Sequence, residues 1–393
     1  MPDDAISNSA VIDAVRLQPD AAGHDNGYGR ARLRLGISGV GLWVVVSVAG
    51  LASGVVESIG QRLPEGIAGD AAIVALLLVG YVVVQLPFDW LGGYRVPKRF
   101  GRAAPNPAAY AKGLARGVVV HTAILLCSAA ILYLGGRFGG IAGAFVAGLC
   151  WLLVLASGRG VTAHLLAKLR PATTIRDTTD LELLESGDEG FTGGITGLIK
   201  PKTNVLPAAW RSTLTDEQFQ LAIRRRRWII ASGAWRAGRI GAFVFSAVGL
   251  LLSLLLAGAD AAGTGAGVVE TMLWFTLWSF AGLLLLPTLS RRAVVQVDRA
   301  MVAEGTESSR LNEVAEALDR LQDAEPRRPG WVESIFHPVP SVSNRWDPEG
   351  ESRIAYWDIA RTAVYLGLGG GSLLTRSVHC NVGRPSLWAW LPT

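Results

Sequence analysis

Residues Leu214 to Ile230 read LTDEQFQLAIRRRRWII, a helical stretch set between two groups of long apolar segments. Thr215 with Gln218 three residues on is a capping-box pattern, in which each side chain satisfies a free backbone N–H of the first turn. A helix is therefore predicted from Asp216. Successive residues turn by about 100° around a helix, so Arg224, Arg225, Arg226 and Arg227 fan around nearly its whole circumference. They cannot share one solvated face, and at least one must meet protein or lipid headgroups.

On either side of this stretch the chain reads as a membrane protein. Half of its 393 residues are hydrophobic, 18% are charged, and the apolar residues fall in blocks. The blocks are Leu35 to Val56, Ala71 to Phe88, Gly117 to Gly135, Gly139 to Ser157, Ile240 to Gly258 and Val268 to Pro287. Each is close to the length that crosses a hydrocarbon core of about 30 Å. The few residues around Arg137 force the third and fourth blocks into an antiparallel hairpin, and a Gly/Ala-rich turn does the same for the fifth and sixth.

Basic residues next to spans resist translocation, and they collect on one side. Arg95, Lys98, Arg99, Arg102, Lys112 and Arg116 follow the second block, whereas Arg62 alone follows the first. The fold class expected is mainly α: a multi-pass membrane protein with about six transmembrane helices, both termini cytoplasmic, and a cytoplasmic α-rich domain with a small β element. The expected divisions are a disordered polar tail (1–30), four transmembrane helices (31–157), a cytoplasmic segment (158–239), a transmembrane hairpin (240–288) and a cytoplasmic C-terminal segment (289–393) that packs with 158–239.

Within those soluble parts, EGFTGGITGLIKPKTNVLPAAW carries glycines and prolines between short β-prone runs, a hairpin-like pattern. Leu311, Val314, Ala315 and Leu318 have helical spacing. Residues 359–374 are apolar but contain Arg361 and a triple glycine, which favours a core or interfacial helix over a seventh span. The net charge of +5 is carried mostly by arginine beside the apolar blocks, which points to a lipid bilayer as partner and not to nucleic acid. Three cysteines without a CxxC pair give no disulfide framework.

A capped helix, a membrane hairpin and then SRRAVVQVDRAMVAEG form an order of parts that resembles membrane-embedded zinc metallopeptidases of the HtpX and CAAX prenyl protease type. FHPVPSVSNR looks like that family's H-P-x-x-x-x-R loop, PFDWLGGYRVPKRFGR is more loosely similar to CAAX-protease loops, and the resemblance covers about residues 85 to 345. It implies a metallopeptidase-like domain in a bacterial inner membrane. Carried over position by position, however, the zinc ligands and base are gone. Arg225 and Ile229 stand at the two His positions, Arg226 at the Glu base and Val294 at the third ligand, and only Asp298 keeps the family's second carboxylate. A guanidinium has no lone pair for zinc, and Ile or Val offers no ligand.

The expectation is a pseudoprotease that needs no cofactor and binds an unidentified membrane or cytoplasmic protein partner. Its candidate cleft comprises Arg224, Arg225, Arg226, Arg227, Asp298, His337, Pro338 and Arg345. A buried carboxylate left without its metal calls for another cation. Arg225 or Arg226 pairing with Asp298 is one fate for the arginine run, and contact with lipid phosphates is the other. The alternative function is a membrane protease with a non-standard centre. That centre is either zinc at His337, His379 and Cys380 or a serine site at Ser38, in Gly36-Ile37-Ser38-Gly39, with His121 as its base. A transporter would need a continuous polar path through the spans, and none is legible.

Overall fold

A computed structural model describes residues 19–102, 106–172, 181–197, 201, 203–259, 261–345 and 355–389, with side chains described from residue 27. The chain is mainly helical. In order the elements are α1 (Pro19–Ala52), α2 (Val55–Arg62), α3 (Ile67–Trp90), α4 (Val96–Arg99), α5 (Pro107–Ser157) and α6 (Arg159–Ala167). The strands β1 (Arg170–Pro171), β2 (Leu181–Glu185), β3 (Gly194–Ile195) and β4 (Asn204–Pro207) follow. The second half holds α7 (Trp210–Thr213), α8 (Asp216–Ala231), α9 (Ala234–Ala257), α10 (Gly265–Ala303), α11 (Ser308–Gln322), α12 (Gly330–Phe336) and α13 (Ile359–Leu366).

Among the described residues, five helical stretches are long and apolar enough to cross a membrane: Gly27–Ala52, Ile67–Arg99, Pro107–Ser157, Ala234–Ala257 and Gly265–Ala303. The third of them, α5, is broken where Gly139 and Gly140 leave helical geometry. Gly140 takes a φ of 57°, which glycine adopts without a Cβ penalty. Beyond the break the chain returns along itself. Trp151 donates to the Ser128 hydroxyl at 2.7 Å, a contact that a straight helix cannot make between residues 23 apart.

Three boundaries differ from expectation. The first helix starts at Pro19, inside the stretch expected to be a disordered tail, and Tyr28 is buried against Phe100 and the guanidinium of Arg102. Residues 1–18 lie outside the described residues. The second apolar block does not end at Phe88. It continues through a π-helical turn, Leu91–Arg95, into α4, so Arg95, Lys98 and Arg99 sit on the helix itself and not in a loop. The turn falls where Gly92 and Gly93 approach the backbone of Val382 and Gly383 too closely for any side chain.

The C-terminal segment gives the third difference. Helix α13 spans eight residues, too short to cross a bilayer, and runs into a 3₁₀ turn at Gly367–Gly370. From Trp357 to Ala389 almost every residue is buried, and Leu366, Leu368, Leu374, Leu387 and Trp388 belong to the same apolar core as the membrane-length helices. Ser128 of α5 donates to the Leu368 carbonyl at 2.7 Å, and Thr276 of α10 accepts from the Leu373 N–H at 3.2 Å. The segment therefore lodges chiefly among these helices. Toward 158–239 it also packs, sharing the apolar core with Ala163, Leu166 and Phe191 and making polar contacts, among them Arg159 donating to the Ala389 carbonyl and the Arg384–Asp188 ion pair.

A second apolar core forms around the start of α9 and the last turns of α10, where Trp235, Val294, Val297 and Met301 pack with α8, α11 and the sheet. Strand order is β1-β2-β4-β3, with β2 and β4 parallel and the other pairs antiparallel. The β3–β4 pair, with Gly194 opposite Val205, is the hairpin expected in the glycine- and proline-rich stretch. Because α10 is one continuous helix from Gly265 to Ala303, it carries Asp298 rigidly from the first core into the second.

Candidate functional site

The helix α8 begins as its sequence requires. Thr215 Oγ1 accepts from the Gln218 N–H and Gln218 Oε1 accepts from the Thr215 N–H, each at 3.2 Å. Phe219, Ala222, Ile223 and Ile229 then point into the second core. That burial sets the rotation of the helix and with it the four arginines, which take different fates. Arg224 and Arg227 are exposed. Arg226 is 3% exposed, donates to the Thr192 carbonyl at 2.9 Å and lies over the Trp357 ring. Burial, and then the neighbouring Arg225, pull its pKa down to about 9.

Arg225 reaches Asp298 on α10, its Nε donating to Oδ1 at 2.6 Å. Asp298 is 1% exposed and accepts a second donor, Arg345 Nε, on Oδ2 at the same 2.6 Å. One carboxylate is thus clamped between two guanidiniums from different elements. Ile229 and Val294 are buried apolar residues of the second core, with no polar atom to offer.

The pair lines a recess of about 890 Å³ of empty volume, partly open to solvent. Leu221 and Ala222 of α8, Leu311, Val314 and Leu318 of α11, and Val339 and Val342 give it apolar walls. Arg225, Asp298, His337, Pro338 and Arg345 all line it, whereas Arg224, Arg226 and Arg227 do not. His337 closes the C-terminus of α12, and the loop after it is pinned from below. Glu333 accepts from the Ser341 N–H at 3.1 Å, the Ser341 hydroxyl at 2.7 Å and the Asn344 amide at 2.9 Å. A buried carboxylate with three donors fixes a loop firmly, and it holds Arg345 at the recess.

The recess is also lined by acidic residues paired with a third arginine. Arg328 bridges Asp319 at 3.3 Å, Asp323 at 3.2 Å and Glu325 at 3.5 Å. Burial and the proximity of Asp323 raise the Asp319 carboxyl to about 6 against the pull of Arg328. Asp323, despite its burial, is held well below the usual carboxylate range by Arg328 and the two nearby histidines.

His337 and His379 come together, with ring centroids 4.8 Å apart, and Cys380 lines the same recess. Burial drives both imidazoles toward the neutral form, His379 to about 4 and His337 well below its ordinary value. Burial also raises the Cys380 thiol, which keeps it protonated. Among the described residues no group of three or more His, Cys, Asp or Glu side chains is arranged to hold a metal ion.

The serine alternative does not assemble. Ser38 is exposed and its hydroxyl donates to the Arg34 carbonyl one turn back. His121 is wholly buried between Tyr81 and Trp388, and neither of its ring nitrogens has a hydrogen-bond partner. Sequence reasoning missed Glu333 and Arg328. Their only signal was a charged residue in or beside a short, otherwise apolar segment.

No protein-family model matches the chain, and no curated protein matches it significantly.

Proposed function

We propose that the chain is a pseudoprotease: a multi-pass membrane protein with an HtpX-like metallopeptidase architecture that binds a segment of a membrane or cytoplasmic protein in the recess without cutting it. The reading includes six crossings, since the fold-back of α5 at Gly139 and Gly140 supports counting that helix twice. It also includes cytoplasmic termini and a bacterial inner membrane, on the basic residues around Arg95 to Arg116 and on the resemblance.

One observation carries the proposal. Asp298 is paired by two arginines, and one of them, Arg225, stands where the resembled family has its first zinc ligand. With Arg226, Ile229 and Val294 at the other positions, this helix pair cannot coordinate zinc or activate water, yet an apolar-walled recess remains beside it. Charge compensation in place of a metal is the expected end state of a disarmed site.

Metal analysis and a proteolysis assay on the purified protein in lipid nanodiscs test this. The expected result is no bound zinc and no cleavage of an unfolded substrate such as casein, with a partner captured in mild detergent and lost on changing the recess. Near-stoichiometric zinc that disappears in His379→Ala overturns the proposal and favours the zinc reading, to which the 4.8 Å approach of His337 and His379 lends its only geometric support.

A further inference from the structure

The ion pairs that line the recess differ in their charge balance. Beside α8, Asp298 takes one N–H from each of two guanidiniums, both through Nε, so two positive charges face one negative charge. A guanidinium ordinarily meets a carboxylate through a fork of two parallel N–H groups, and here neither does. One donor is left over: Arg225 Nη2 is buried without a hydrogen-bond partner. Buried donors of this kind are costly unless something accepts from them.

Asp319 also acts on Arg345, but it is already held by Arg328. A surplus positive charge and an unused donor therefore stand beside a wall made by Leu221, Leu311, Val314 and Val339. A lone inorganic anion would satisfy the charge but leave that wall bare.

We infer that this part of the recess is a carboxylate-binding site, taking an anionic group carried on an apolar chain so that the carboxylate accepts from Arg225 and the chain lies along the wall. The inference rests on the reading of the recess as a binding site and names the chemistry of what binds. Two sources offer that chemistry, an apolar peptide residue with a free carboxylate and a fatty acid.

The test uses the intact protein in nanodiscs and pairs of probes that differ only in charge: N-acetylleucine against N-acetylleucinamide, and hexanoate against hexanamide. The expected result is that at least one acid binds roughly tenfold or more tightly than its amide. The acid that does so identifies the source. Arg225→Gln should abolish the difference while the fold persists, because Asp298 keeps Arg345. Asp298→Asn should tighten acid binding by freeing both guanidiniums. Equal affinity for both acids and their amides, or a preference unchanged in Arg225→Gln, overturns the inference. Loss of partner capture without loss of acid preference would instead count against the pseudoprotease reading alone, so the two can fail separately.

Discussion

Two buried aspartates divide the molecule between them. Asp89, in the membrane-length helix that contains α3, is 0% exposed and faces Arg376 of the C-terminal segment, itself 0% exposed. Arg376 donates to it through both Nε and Nη2, and the Gly383 N–H adds a third bond at 3.0 Å. The match is one charge to one charge, and no recess adjoins it among those described. Asp298 faces two guanidiniums through single bonds, beside open space. The first arrangement pairs one charge with one charge and is enclosed, as a clamp that seats the C-terminal segment should be; Arg376 Nη1 is also buried without a partner, so charge count and adjoining space, and not a spare donor, set the two apart. The second retains surplus charge and room, as a site should.

Breaking the clamp is expected to have the largest effect. Asp89→Asn or Arg376→Met alone leaves a buried charge unpaired among apolar helices, which costs about 3–5 kcal/mol. Denaturant unfolding in nanodiscs should show that loss, accompanied by protease cleavage within residues 355–389. The double change Asp89→Asn with Arg376→Met should recover much of the stability. If both single variants stay within about 0.5 kcal/mol of the parent, the pair is not the clamp described.

Acidification separates the two regions next, because the recess carries groups whose protonation changes near neutrality. His337 and His379 are kept neutral by burial while Arg328 and Arg361 press on them, so the unfolded chain takes up protons first as pH falls below about 6.5. Stability from the histidines is present above that pH and is lost toward the His379 value of about 4. Asp319 acts in the opposite sense: with its carboxyl raised to about 6, it favours the folded state as pH falls from about 6 toward its unfolded value. Two histidines against one aspartate leave a net loss of stability between pH 7 and pH 5. His379→Gln should flatten that profile, and an unchanged profile would contradict the burial of the pair.

The surplus at Asp298 predicts a smaller response. Asp298→Asn removes one acceptor from two arginines that can turn toward the open recess, so the cost should be about 1–2 kcal/mol, well below that of Asp89→Asn. Reversal of that order in unfolding experiments would break the distinction between clamp and site.

How much of this was legible in the sequence follows from the range of each interaction. The capping box of Thr215 and Gln218, the apolar blocks and the reversal near Arg137 depend on neighbours within a few turns, and all are present. For the arginine run the sequence offered two fates, pairing of Arg225 or Arg226 with Asp298 or contact with lipid phosphates, and Arg225 takes the first. The C-terminal segment was not legible. Arg376 reads as a residue of a polar tail, and its partner lies 287 positions away. A usable signal did exist in Asp89, because a carboxylate at the edge of an apolar block must find a partner inside the protein. Glu333 and Arg328 were hidden for a different reason: a single charge near a short helix looks solvated until tertiary packing buries it.

The smallest expected effect concerns the start of α8. Thr215→Ala removes one half of the capping box and should cost about 1 kcal/mol. The position of that loss matters more than its size. Thr215 is exposed but caps α8, which packs in the second core around the start of α9 and the last turns of α10, whereas the clamp at Asp89 lies beside the first. The continuous α10 joins the two cores, and if it makes them one cooperative unit the loss should appear in every amide protected by global unfolding. If the second core opens on its own, hydrogen exchange should quicken in α8, α11 and the sheet while the amides of α3 and α5 stay as slow as before. The second outcome is expected, because the buried apolar residues of α8 all belong to the second core, and it would let the recess open to a ligand while the seated C-terminal segment stays in place.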